Sequence, residues 1–275
     1  MSDDEVFPLL ISHAFAVWFI LRWYGPVLMV AGHGTGGGRW PIALAPLIAA
    51  MGLFMLLRTW ASFDVRDSST YLFYYMSMGA GWLGFASLFF AQFGLHVRDD
   101  AIERDNPAAA WAAAGAVVGI TACYAGANIG DGPGWWCVIY AGGLAQLTWF
   151  AAWLVLEIAA KPVESVTIDR DFASGLRLAG FLIAVGVIAG RAAAGDWTSA
   201  EQTLREFTVA WPILPLLVVA IAIERQLRPS PRRPKGDILL HGSLVALFYI
   251  AFAVATVVGL GPPPHGTFHQ PAVEQ

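Results

Sequence analysis

The chain has 275 residues, of which 57% are apolar and only 13% charged; its net charge is −4 and its mean hydropathy +0.60. A soluble domain carries about twice that charged fraction, so an ordinary water-soluble fold is excluded. Sparse charges scattered over short loops likewise exclude a nucleic-acid-binding surface.

Eight apolar runs approach or exceed the roughly 20 residues needed to cross a hydrocarbon core. In chain order they are Phe7–Ala31, Trp40–Leu57, Thr70–Leu95, Pro107–Ala127, Trp135–Ile158, Phe172–Arg191, Phe207–Ile223 and Ile238–Gly259. The predicted fold is all-α, a polytopic transmembrane bundle. No basic residue precedes Arg22, so the first run is read as a retained helix and not as a cleaved signal. The connections are short and rich in Gly, Pro, Asp and Ser, with breaks expected at GHGTGGGRW (32–40) and ERQLRPSPRRPKGD (224–237).

Lys and Arg sort between alternate loops. One set holds Arg39, Arg98, Arg104, Lys161, Arg170, Arg225, Arg228, Arg232, Arg233 and Lys235; the opposite loops hold Arg58, Arg66, Arg191 and Arg205. The positive-inside rule makes the first set cytoplasmic and places both termini outside. Trp40, Trp60, Trp135, Trp136 and Trp197 suit interfacial belts, whereas Trp82, Trp149 and Trp153 lie deeper.

Asn106–Asp131 aligns without gaps on Asp171–Asp196. Ala114 falls on Ala179, Gly115 on Gly180, Gly130 on Gly195 and Asp131 on Asp196, and each segment follows an Arg-Asp pair. Two spans per copy make this a parallel repeat. The expected organisation is three leading helices (1–103), two helix-pair copies (104–168 and 169–228), and a basic loop, last helix and polar tail (229–275). Small-residue stripes containing Ala114-Gly115 and Ala179-Gly180 predict close approach of the fourth and sixth spans, which are expected to cross tightly at the centre.

The stretches NPAAAWAAAG, ANIGDGPGW, FASGLRLAG and RAAAGDW resemble the DUF350 family of small bacterial inner-membrane proteins, over Arg104 to about Glu224. The resemblance implies a helical core of four spans in a bacterial inner membrane. It implies no mechanism, and here three helices precede the similar region and one follows it.

Six charged residues are candidates for a pathway or an intramembrane role. Arg22 lies well inside the first apolar run, where an unpaired guanidinium costs a few kcal/mol. It is expected either to face the bundle interior or to snorkel, the helix then breaking at Gly25-Pro26. Glu157 and Glu224 close the second span of each copy, and Arg177, at a depth similar to Glu157, is expected to pair with it. Asp131 and Asp196 either ring a cation entrance or shape Gly-Asp turns.

His13, His33, His96 and His241 lack the spacing of a metal site, and His265 and His269 lie in the tail; Cys123 and Cys137 differ in depth, so no disulfide is expected. No metal or cofactor is therefore expected. The glycines at 32–38 lack the Gly-Lys-Ser/Thr ending of a phosphate loop, and no nucleophile–base arrangement points to an enzyme. A small permease or channel-like protein is the leading expectation, with a non-transporting scaffold of a membrane complex second and a redox subunit third. The expected partners are the lipid bilayer, further copies of the chain or other membrane subunits.

Overall fold

The computed structural model describes residues 3–29, 39–229 and 237–264. The 32–38 glycine cluster with His33, residues 230–236 of the basic loop, and His265 and His269 lie outside the described residues. Among the described residues eleven α-helices occur in this order: α1 Asp3–Met29, α2 Arg39–Trp60, α3 Phe63–Arg66, α4 Ser69–Ser87, α5 Pro107–Gly126, α6 Trp135–Ala160, α7 Pro162–Thr167, α8 Phe172–Ala193, α9 Ala200–Glu206, α10 Ile213–Leu227 and α11 Leu244–Leu260. Short 3₁₀ segments prolong α4 (Leu88–Phe93) and precede α10 (Phe207–Ala210), and π turns occupy Val97–Glu103 and Ile238–Ser243. Seven helices are long and apolar enough to span, and the pair Ser69–Phe93 and Val97–Glu103, bent by 81°, makes an eighth. Each predicted span has its helix.

The helices form two layers. α2, α5, α8 and α11 stand side by side in that order, while α1, α4, α6 and α10 cover them. Contacts between α5 and α8 advance in step along both chains, from Gly115 against Ala179 through Gly119 against Leu182 to Gly126 against Gly190, so these neighbours run parallel. Composition follows position. In α5 and α8, 78% of the apolar window is buried, and those helices are built of Ala and Gly; in α11 only 11% is buried, and it carries Leu, Phe and Val. Small residues let backbones touch, which is the main source of helix attraction where lipid is as apolar as leucine.

The two aligned segments start alike. Asp105 and Arg170 take left-handed backbone (φ 46° and 54°), and Asn106 and Asp171 then cap α5 and α8 through their side chains. Asn106 Oδ1 accepts from the Ala108 and Ala109 amides, and Asp171 Oδ2 from that of Ser174. Arg170 ties the two starts together by donating to the Arg104 and Asp105 carbonyls, both at 2.9 Å. At the other end Gly130 (φ 113°) and Gly195 (φ 145°) make the turns that only glycine adopts without strain.

The two aligned glycines do not face each other. Gly115 does meet α8, at Ala179, but Gly180 faces α11, where it abuts Ala246. Aligned glycines therefore serve successive seams of one row: each faces the next helix and not the other glycine. Gly242 lies against Ala173 much as Gly175 lies against Ala108. Counted from these glycines, the position that follows Gly180 along the row is Leu247, which is 59% exposed. A bulky side chain there ends the row.

Tryptophans tie the outer helices to one another and to the inner layer. Trp149 Nε1, fully buried, donates to the Leu182 carbonyl at 2.8 Å, and Trp82 Nε1 donates to Gln146 Oε1 at 3.2 Å. Trp153 stacks on Phe93 at 4.2 Å. The deep tryptophans are thus packing and hydrogen-bonding groups between helices.

Candidate functional site

Among the described residues, buried charge is most concentrated around Arg177. Arg177, fully buried on α8, forms a bidentate pair with Glu224 of α10, Nε to Oε1 at 2.7 Å and Nη2 to Oε2 at 2.8 Å. Its Nη1 donates to the His241 carbonyl at 2.7 Å, in the π turn before α11, and Nη2 also donates to Ser174 Oγ at 2.9 Å. Ser174 passes its own proton to Asp171 Oδ2 at 2.7 Å. One guanidinium thus joins three helical segments. Four of its five N–H donors are engaged by a carboxylate, a carbonyl and a hydroxyl.

The expected Glu157–Arg177 pair does not form. Glu157 instead accepts the Val163 amide at 3.1 Å, serving the start of α7 where Lys161 turns through φ 52°. Depth along the membrane was matched, but rotation about the helix axis was not. Arg177 shares a stripe with Ala173 and Gly180, the face of α8 that meets the α11 side of the row, and Glu224 is the carboxylate on that side. The spacing of Ala173, Arg177 and Gly180 was the available signal. Sequence reading also missed Ser174, Asp171 and the His241 carbonyl as partners.

Arg22 is at the surface. α1 runs unbroken through Gly25-Pro26 to Met29, and Arg22 points outward with its guanidinium 5.0 Å from the Trp18 ring centre. It therefore does not face the bundle interior, and the helix does not end beside it. Pro26 removes the amide that would bond the Arg22 carbonyl and crowds that carbonyl with its ring, while Trp23 Nε1 fastens α1 to the Ile42 carbonyl of α2 at 2.8 Å.

Asp131 and Asp196 lie together in joined turns. The Asp131 amide donates to Asp196 Oδ1 at 2.8 Å, the Trp197 amide to the Asp131 carbonyl at 2.7 Å, and the Gly195 amide to the Ile129 carbonyl at 2.9 Å. They border a recess of about 250 Å³ whose wall also carries Glu5, Asp64 and Glu206, with no Lys or Arg in its lining. Such a wall favours cations over anions. Among the described residues no group of three or more His, Cys, Asp or Glu side chains could hold a metal ion, and Cys123 and Cys137 are separate free thiols.

Residues 59–193 match the family model described as Domain of Unknown Function (DUF350). The matched stretch begins ahead of α4 and ends at the foot of α8, so its four long helices are α4, α5, α6 and α8. It extends further toward the N-terminus than the Arg104 start read from the motifs, and stops before α10. No curated protein and no solved structure matches the chain. Over residues 59–193, which carry the central α5–α8 seam, this multi-pass membrane protein matches the DUF350 family.

Proposed function

We propose that the protein is a non-enzymatic, non-transporting subunit that scaffolds a complex in the bacterial inner membrane. The observation that carries this reading is the α5–α8 seam, where Gly115, Gly119, Gly126, Gly175, Gly186 and Gly190 are all in backbone contact with the facing helix. A solute path between these helices would need a polar lining and a gap, and the seam supplies neither. The chain reads as four outer–inner helix pairs, α1–α2, α4–α5, α6–α8 and α10–α11, laid in parallel with both termini outside. In that arrangement the Arg177–Glu224 pair locks the last pair to the third. The repeated caps and turns of α5 and α8 support the duplication.

The acidic recess favours a second reading, a cation carrier whose entrance is bordered by Asp131 and Asp196. Flux into proteoliposomes decides between the two. Potassium, sodium, proton and organic-cation fluxes are expected to equal those of empty liposomes. Flux that falls in an Asp131→Asn/Asp196→Asn variant would overturn the scaffold reading in favour of transport. Orientation has its own check: reporters fused at either terminus are expected to signal from outside the cytoplasm, and a cytoplasmic signal from both would invert the topology.

A further inference from the structure

A second charged feature belongs neither to the Arg177 network nor to the acidic recess. Arg22 borders an open cleft of about 640 Å³ between α1 and the bent end of α4, at the rim of the bundle that carries the basic residues. Phe19, Trp23, Phe90, Leu95 and Met29 give this cleft apolar walls, and His96 and Arg98 stand at its outer edge. Arg98 is committed to Glu103 at 2.8 Å, and Asp99 also borders the cleft. Among the described residues no carboxylate pairs with Arg22; its contact is the Trp18 ring. Around it on α1 the surface is apolar, with Leu21 68% exposed and Met29 84% exposed. A cation is thus held about 10 Å short of the helix end, exposed on an apolar surface beside the cleft.

We propose that this cleft binds an anionic phospholipid, with the phosphate on Arg22 and one acyl chain against the exposed Leu21 and Met29. An intramembrane guanidinium is stabilised when a counter-charge comes to it, and the headgroup phosphate is the anion found at that depth. Cation–π contact with Trp18 orients the guanidinium without neutralising it. A free phosphate would satisfy the charge but leave the apolar walls without a ligand, which favours the lipid.

The test is native mass spectrometry of the full-length protein released from detergent after equilibration with dioleoyl-phosphatidylglycerol or dioleoyl-phosphatidylcholine. The phosphatidylglycerol adduct is expected to exceed the phosphatidylcholine adduct. Arg22→Gln is expected to weaken phosphatidylglycerol retention about fivefold, the size of one arginine–anionic-lipid interaction, while Arg58→Gln at the opposite rim leaves it unchanged. Equal retention of the two lipids, or no loss in Arg22→Gln, would overturn the proposal. Displacement of the lipid by millimolar inorganic phosphate would also overturn it, by showing a simple anion site. Arg22 is on the surface, so the thermal midpoint of Arg22→Gln is expected to stay at the wild-type value, which separates loss of lipid from loss of fold.

Discussion

Arg177→Met is expected to destabilise the folded protein by about 3–5 kcal/mol, because it leaves Glu224 ionised and unpaired in a buried site. Glu224→Leu is expected to cost a similar amount, stranding the guanidinium instead. The informative variant is the double one. Two charges transferred together from water to the interior incur desolvation that their attraction barely offsets, so an apolar pair of similar volume serves about as well. Arg177→Met/Glu224→Leu is therefore expected to recover most of the loss. A residue of about 1–3 kcal/mol should remain, because the His241 carbonyl loses its donor. Equilibrium unfolding in mixed micelles, followed by tryptophan fluorescence, gives the double-mutant cycle. Additive losses would mean that the two side chains are not coupled. Strong coupling with little net stabilisation would mean that the pair acts by selecting one arrangement of α8, α10 and α11.

The bundle was largely legible in the sequence, and for a physical reason. A helix in lipid must satisfy its own backbone and present about 20 apolar residues, so existence and boundaries are written locally. The starts of α5 at Pro107 and of α8 at Phe172 coincide with the starts of the apolar runs, and Asn106 and Asp171 cap them locally. Which helices touch was half legible. The small-residue stripes announced a tight seam, yet a stripe does not name its partner, and Gly180 turned out to face Ala246 and not α5. Pairing of charges was legible least. Glu157 and Glu224 both end long apolar helices, and choosing between them requires knowing which helix lies beside which face of α8, a fact set by the whole row. Arg22 shows the converse error. Its depth is a local property, but whether depth means burial depends on whether a neighbour covers that face of α1, and the face is open to lipid.

Gly119→Ala carries the other large expected effect, since one methyl group there strikes three helices at once. A Cβ on Gly119 would collide with the Leu182 backbone of α8 and would sit 2.6 Å from Trp149 Nε1 of α6. It thus presses on the junction where the buried indole donates to the Leu182 carbonyl at 2.8 Å. Backbone atoms cannot swing aside as a side-chain end can, so either α5 and α8 separate or the indole loses its acceptor. Overpacking costs about 1–3 kcal/mol, and a buried N–H left unpaired adds about 1–3 kcal/mol. Gly143→Ala supplies the contrast. It lies mid-helix in α6 with nothing within 4 Å of the added carbon, so the substitution is expected to be neutral or to stabilise by up to about 1 kcal/mol through helix propensity. The two variants make the same chemical change with opposite expected signs, and unfolding midpoints measured side by side read the sign directly. If Gly119→Ala unfolded like wild type, α5 and α8 would have slack between them, and the closed seam on which the scaffold reading rests would be wrong. If it destabilised while Gly143→Ala did not, the Gly/Ala composition of the central helices would be explained by backbone contact across the row. Helix propensity alone would not account for it, because glycine is a poor helix former at both positions.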